Sequence, residues 1–364
     1  MSGFEVNYSN IDRMVHTLAM SQLQVQRSLA RIEDKGFDRD HGSIRAQSPV
    51  FITSLPRAGT TLLLELLAGT SEFASHTYRD MPFLLCPIIW DRISRRFRKQ
   101  AHVRERAHGD GMLVSYDSVE AFEEVLWRAF WPTHFEPTRI RPWAPDEEDD
   151  DGEFPGFLRQ HMRKIVGLGR QRAGTKAARR YVSKNNANIA RLGWLARNFP
   201  DATILIPYRN PFAHVASLWR QHANFLEAHA KDPFIRRYME SIGHLEFGEA
   251  LRPIDFDDWL SRVSDLKPGG RDFWLEYWIA AFSAVLRDSG PSSVILCYDR
   301  LCASPEVGLA TLEERLALKH GMLMGQASRL RAPTPHEILP RDLATNRGRR
   351  LQEVLEQLDT RALF

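Results

Sequence analysis

The sequence predicts an α/β fold: a central parallel sheet flanked by helices in three layers, with helical insertions. Three observations carry that prediction. Apolar, β-branched runs recur at Pro49–Leu55 (PVFITSL), Ala202–Tyr208 (ATILIPY) and Ser293–Tyr298 (SVILCY). Each leads through a turn into an apolar pattern at helical spacing, which is the strand, turn, helix order of a parallel α/β unit. The chain's 364 residues, 43% hydrophobic and 26% charged, have an ordinary globular composition and enough length for a sizeable core. Disordered, collagen-like and low-complexity classes are excluded.

The elements follow in order. Residues 1–47 read as a helical preface. Ser9 with Asp12 resembles a capping box, and Ile11, Met14, Val15, Leu18, Val25, Leu29 and Ile32 recur at helical spacing. Packing onto its own domain is expected of this segment, with a dimer arm as the alternative. Residues 48–364 read as one domain, since no internal repeat or linker interrupts them. After Gly36 a polar stretch leads into the first apolar run, which Arg57-Ala58-Gly59 breaks before TTLLLELLAG forms a helix ending at Gly69. The second run ends at Arg209-Asn210, and Pro211 suits the first position of the next helix. The third leads through DRLCASPE into a helix starting near Pro305. The aromatic segments DSVEAFEEVLWRAFW and RDFWLEYWIAAFSAVL are expected core, and the acidic run Asp146–Glu153 a solvated loop.

Net charge is +3, from 49 basic against 46 acidic side chains. A nucleic-acid binder would show a stronger imbalance, so affinity for anions must come from local clusters. The three cysteines, Cys86, Cys297 and Cys302, allow neither a disulfide framework nor a zinc spacing, and a reducing compartment is expected. No apolar stretch approaches the roughly 20 residues of a membrane span, and the first residues lack the order of a signal peptide. The location expected is cytoplasmic.

The chemistry begins at Ser54-Leu55-Pro56-Arg57-Ala58-Gly59-Thr60-Thr61. A strand turning sharply into a helix presents unpaired backbone N–H groups and the positive end of the helix dipole, which suits a phosphate or sulfate. The Thr60 and Thr61 hydroxyls add donors. Gly59 lets the backbone approach, and Arg57 brings a fixed positive charge. The loop is P-loop-like without being a Walker A motif, since Ser54 stands in place of the first Gly and Thr60 in place of the Lys. A second anion site is read at Arg209-Asn210-Pro211 with Ser217 eight residues on, where guanidinium and hydroxyl can grip one phosphate.

Together these elements resemble the sulfotransferases that use 3′-phosphoadenosine 5′-phosphosulfate (PAPS), and in particular bacterial P-loop-type members with a PRxGTT loop. The Pro56–Thr61 segment takes the place of the loop that holds the 5′-phosphosulfate, and Arg209-Asn210-Pro211 with Ser217 takes that of the 3′-phosphate segment. Lys184 stands where an SKNP-like segment carries a Lys, and CYDRLCASPE is similar to a YEDL-x-x-DP segment. The resemblance spans about Pro49 to Leu318. It implies a sulfuryl transfer from PAPS to an acceptor hydroxyl, leaving 3′,5′-bisphosphoadenosine (PAP), with no metal. Cofactor binding then falls to Arg57, Ala58, Gly59, Thr60, Thr61, Arg209 and Ser217, with Arg57 and Lys184 also countering charge on the leaving oxygen.

For the general base the resemblance points to the segment after the P-loop helix, SEFASHTYRDMPFLL, where His76 and Asp80 are expected alternatives and Glu72 a third. His76 has a pKa suited to accepting a proton near neutrality. The tail residues Asn346-Arg347-Gly348-Arg349 read either as a cover for the 3′-phosphate, through Arg347, or as a solvated turn. Two basic stretches, Arg92–Arg106 and Arg159–Arg180, read as solvated helix faces or as a surface for an anionic acceptor near a membrane. A carbohydrate or glycolipid hydroxyl is the acceptor expected. The alternatives are a nucleotide-dependent kinase of unusual motif and a non-catalytic nucleotide- or glycan-binding protein.

Overall fold

The computed structural model describes residues 10–95, 104–105, 113–114, 119–331 and 343–364. Its strands are β1 (Val50–Ile52), β2 (Phe73–Ala74), β3 (Arg104–Glu105), β4 (Leu113–Val114), β5 (Arg180–Lys184), β6 (Thr203–Tyr208) and β7 (Ser293–Cys297). The helices are α1 (Asn10–Ser21), α2 (Leu23–His41), α3 (Thr60–Ala68), α4 (Pro87–Ser94), α5 (Glu124–Phe130), α6 (Phe154–Ala173) and α7 (Leu192–Asn198). They continue with α8 (Pro211–Lys231), α9 (Pro233–Ser241), α10 (Trp259–Arg262), α11 (Arg271–Asp288), α12 (Tyr298–Ala303), α13 (Pro305–Arg315) and α14 (Asn346–Arg361).

Five strands form one parallel sheet in the order β2-β5-β1-β6-β7. β3 and β4 pair separately as a short antiparallel ribbon. The period of two along each strand divides the side chains between two cores. Phe51, Tyr181, Ile204, Ile206 and Ile295 face α5, α6, α8 and α11, while Val50, Ile52, Val182, Leu205, Val294 and Leu296 face α3, α12 and α13. The sheet is therefore apolar on both faces and lies between two helical layers, as predicted. Trp127, Trp194, Trp274 and Trp278 are fully buried in the larger core.

The three apolar runs become β1, β6 and β7, and β1 is shorter than its run. Two further strands, β2 and β5, were not expected. β5 (RYVSK) is buried along its whole length although it begins and ends on a cation. Arg180 is accommodated by the carbonyls of Ser48 and Leu316 and lies over the Phe73 ring, so its charge is solvated by the protein itself.

The N-terminal segment also departs from its pattern. α2 runs through Gly36 to His41, and its buried face carries Gln26, Ala30, Glu33 and Phe37. Met14, Leu18, Val25 and Ile32 of the apolar repeat are exposed. The reason is a polar anchor: Lys164 of α6, itself buried, meets Glu33 at 2.9 Å and Asp34 at 2.8 Å. α1 is tied to both ends of α9, by Arg13–Asp232 at 2.9 Å and His16–Ser241 at 2.7 Å. Ser9 lies outside the described residues. The acidic run is only partly solvated. Asp149 is buried and accepts from the Glu153 and Phe154 N–H groups at the start of α6, and Glu153 pairs with Arg27 and Arg31 of α2.

Candidate active site

The C-terminal ends of four neighbouring strands open onto one cavity of about 280 Å³. β1 delivers Pro56, Arg57, Gly59 and the first turn of α3, β5 delivers Lys184 and Asn186, β6 delivers Arg209, and β7 delivers Tyr298. Ligands in open parallel sheets bind at this edge because connecting loops converge there and helix N-termini point at it. The wall facing the strand ends comes from α8 (Gln221, Phe225), α9 (Met239) and the loop after it (His244, Glu246, Phe247). Among the described lining residues, three cations (Arg57, Lys184 and Arg209) stand against one carboxylate, Glu246.

The loop between β1 and α3 is held from several sides. His214 of α8, fully buried, donates from Nε2 to the Pro56 carbonyl at 2.8 Å. Burial pushes its pKa down to about 3, with Arg209 and Arg57 adding to the effect against the Pro56 bond. The imidazole is thus neutral and serves as a fixed donor. Arg57 adopts φ 71°, a left-handed conformation costing a side chain roughly 1–2 kcal/mol, and its carbonyl accepts from Arg209 at 3.1 Å. Gly59 sits at φ 89° with the Tyr298 ring against it; a Cβ there would lie 2.1 Å from that ring. Thr60 opens α3, whose first N–H groups precede any intrahelical acceptor and are available to an anion.

The second turn meets the first directly. Arg57 Nε donates to the Ser217 hydroxyl at 3.4 Å. Arg209 approaches Asp299 at 3.6 Å and lies near the face of Tyr298. The Asn210 side chain caps α8 by accepting from the Phe212 and Ala213 N–H groups, which fixes the angle at which Arg209 leaves β6. The structure thus gathers Arg57, Gly59, Thr60, Thr61, Lys184 and Arg209 on one cavity, with Ser217 bonded to its edge and Ala58 buried beneath the loop.

It does not bring His76, Asp80, Glu72 or Arg347 there. His76 and Asp80 lie in the core at 1% and 0% exposure. The His76 and His161 rings meet at 3.0 Å between their Nε2 atoms. Asp80 accepts from Arg172 at 2.6 Å and from the Thr77 N–H at 2.9 Å. Burial alone would raise the Asp80 carboxyl, but His76 and Arg172 overcome it and hold it at about 2. A carboxylate so engaged is an anchor for the turn. Glu72 pairs with Arg179 at 3.0 Å, at the N-terminal end of β5. Four residues of strand, about 13 Å, separate that end from Lys184. Arg347 is bound by Asp272 and Glu276 of α11, at 2.9 and 2.8 Å.

The cavity also holds residues the sequence patterns did not single out: Asn186, Tyr298, Gln221, His244 and Glu246. The Thr60 hydroxyl donates to Asn186 Oδ1 at 3.3 Å, and Asn186 Nδ2 donates to Glu246 at 3.0 Å. Asn186 was legible, since it lies two residues after Lys184 in the run Ser183-Lys184-Asn185-Asn186. His244 and Glu246 lie in GHLEFG, a short segment between two glycines, and that bracketing was the available signal. Of the basic stretches, most of Arg92–Arg106 lies outside the described residues. In Arg159–Arg180 four of the eight cations pair with carboxylates: Arg163 with Asp38, Lys164 with Glu33 and Asp34, Arg172 with Asp80 and Asp91, and Arg179 with Glu72.

The sulfotransferase family model matches residues 49–248. Among solved structures, a Mycobacterium avium sulfotransferase, STF9, is similar at 14% identity, covering 93% of this chain and 84% of that one with a TM-score of 0.47. The sulfotransferase STF1 of Mycobacterium tuberculosis H37Rv is 14% identical, covering 92% and 83% with a TM-score of 0.42. The sulfotransferase domain from the curacin biosynthetic pathway is 14% identical, covering 86% and 98% with a TM-score of 0.38. A search of the curated proteins found no match. Among the described residues no helix is long and apolar enough to cross a membrane.

Proposed function

This chain belongs to the sulfotransferase family, and from that premise we propose that it transfers a sulfuryl group from PAPS to an acceptor hydroxyl. The observation that carries this reading is the junction of the two strand–helix turns. Arg57 bonds to Ser217, and Arg209 bonds to the Arg57 carbonyl. Two anion-binding elements from different parts of the chain are thereby held a few ångströms apart, the arrangement required by a nucleotide carrying anionic groups on both its 5′ and 3′ positions.

When bound, the nucleotide supplies the sulfuryl group and a phosphate leaving group. The protein's part is electrostatic and positional. The α3 N-terminus, with Thr60 and Thr61, receives the 5′ anion, and Arg209 with Ser217 receives the 3′-phosphate. Arg57 and Lys184 counter the charge that grows on the leaving oxygen. Tyr298 and His214 keep the loop in the shape this needs. The acceptor is a hydroxyl compound, with the carbohydrate and glycolipid classes the first to screen. The partners that occupy Arg163, Lys164, Arg172 and Arg179 remove the support that stretch had lent to an anionic one.

Thermal melting tests the proposal. PAP without metal, at about 100 times its Kd, adds roughly 2.7 kcal/mol of stability and raises Tm by about 3–4 °C. Stabilisation by Mg-ATP and not by PAP would overturn the reading in favour of phosphoryl transfer.

A further inference from the structure

We infer that the cavity wall made by Gln221, Phe225, Met239, His244, Glu246 and Phe247 is the acceptor subsite, that it takes a hydroxyl carried on an uncharged apolar body, and that Glu246 accepts its proton. The inference rests on the sulfuryl-transfer reading.

Helix geometry separates this wall from the anion turns. Ser217, Gln221 and Phe225 follow one another at intervals of four along α8, so they share a face and advance about 6 Å per step. The face runs from the hydroxyl bonded to Arg57, through an amide, to an aromatic ring about 12 Å further on. There Phe225 stacks on Phe247 with centroids 5.9 Å apart and planes 5° from parallel, and Met239 lines the same end. The cations of the cavity come from the strand ends, leaving Glu246 as the charge on this wall among the described residues. Arg252 borders a smaller annex of about 30 Å³, which Lys184, Glu124 and Glu246 itself also line. An anionic acceptor would set its charge beside Glu246 while the donor's anionic groups, in this reading, engage the cations opposite, whereas an uncharged ring or chain would meet Phe225, Phe247 and Met239.

The loop carrying Glu246 is fixed in place. Gly243 and Gly248 bracket it at φ 79° and 65°. His222 and His229 of α8 accept from the N–H groups of Gly248 and Glu249, both at 3.1 Å. His244 Nε2 donates to the Ala121 carbonyl at 3.1 Å. Glu246 then accepts from Asn186, whose other amide atom accepts from Thr60 on the first turn of α3. One asparagine side chain thus separates the carboxylate from the loop that would hold the reacting group. In the step proposed, the acceptor oxygen forms a bond to sulfur and the bond from sulfur to the bridging phosphate oxygen breaks. The electron pair stays on the phosphate, which departs as PAP, and the hydroxyl proton passes to the Glu246 carboxylate.

The test uses the full chain with labelled PAPS and three acceptors: 2-naphthol, octyl glucoside and a chondroitin tetrasaccharide. Melting curves with PAP plus each acceptor give a second readout. The first two acceptors should be sulfated and add to the shift given by PAP, and the tetrasaccharide should do neither. Phe225→Ala should raise KM for 2-naphthol about ten-fold, and Phe225→Leu, which keeps the core filled, about three-fold, with the Kd for PAP within two-fold of wild type in both. Glu246→Gln, which can still accept from Asn186, should lower kcat about 10²-fold or more without changing the Kd for PAP. Transfer to the tetrasaccharide alone, an unchanged KM in both Phe225 variants, or full kcat in Glu246→Gln would each overturn the inference while PAP still stabilises the protein. Absence of any PAP shift would instead overturn the sulfuryl-transfer reading, and this inference with it.

Discussion

Two polar clusters lie within this molecule, and they are built to opposite ends. In the core, Arg191 makes a bidentate pair with Glu124 at 2.7 Å for each bond, and Asn185 adds a donor to the same carboxylate at 2.6 Å. Glu123 accepts from Asn188, Trp127 and Tyr181, and Arg172 joins Asp80 to Asp91. Around the cavity, Arg57, Arg209 and Glu246 are only partly buried and border open volume. A charged group saturated by fixed partners contributes shape, because any ligand must first break those bonds. A charged group facing a cavity has donors or acceptors to offer. Chemical type alone does not separate the two, which is why His76 and Asp80 looked as apt for catalysis as any residue of the cavity.

The largest effect on ligand binding should come from Gly59. Gly59→Ala would drive a methyl into the Tyr298 ring, at 2.1 Å by geometry, and would strain a backbone at φ 89°. PAP binding should fall by about 100-fold or more, an effect of roughly 3 kcal/mol, as titration calorimetry would show. On the core side, Arg191→Ala leaves Glu124 charged and buried, and should cost about 3–5 kcal/mol of stability in urea unfolding. Arg209→Ala should weaken PAP by about ten-fold or slightly more, with little change in the Tm of the unliganded protein. If Arg209→Ala instead destabilised the fold as strongly as Arg191→Ala, the contrast between the clusters would fail.

The smallest effect sharpens the contrast through pH. Burial lowers His16 to about 4 and His214 to about 3, and it lowers His134, His161, His222 and His229 as well. Each is neutral in the fold and takes up a proton more readily when unfolded, near 6.5. Their contribution is therefore complete above about pH 6.5 and is lost as pH falls below it. Asp80, held at about 2 against 3.8 unfolded, contributes above pH 3.8 and loses that contribution only as pH falls through 2. Tm measured against pH should thus begin to fall in the histidine window. Asp80→Asn should lower the plateau at neutral pH, while kcat per folded molecule stays near wild type. Loss of kcat with an unchanged plateau would return Asp80 to the chemistry.

The sequence by itself determined the sheet's three most apolar strands, their parallel sense, the two strand–helix turns and the placement of Arg57, Thr60, Thr61 and Arg209 at strand ends. These are local properties: a buried parallel strand needs a continuous apolar run, and an abrupt strand-to-helix turn leaves N–H groups exposed wherever it occurs. The tertiary structure alone decided what depends on partners distant in the chain. β5 was hidden because its terminal cations look solvated until the Ser48 and Leu316 carbonyls and the Phe73 ring surround Arg180. The face of α2 was misread because Lys164 makes Glu33 a core residue. His76 and Asp80 were drawn off the cavity by α6, through His161 and Arg172, and Glu246 was brought onto it by a loop pinned to α8. A charged side chain settles where its counter-charges and donors are. In those cases they come from 20 to 136 residues away along the chain, beyond the reach of a local pattern.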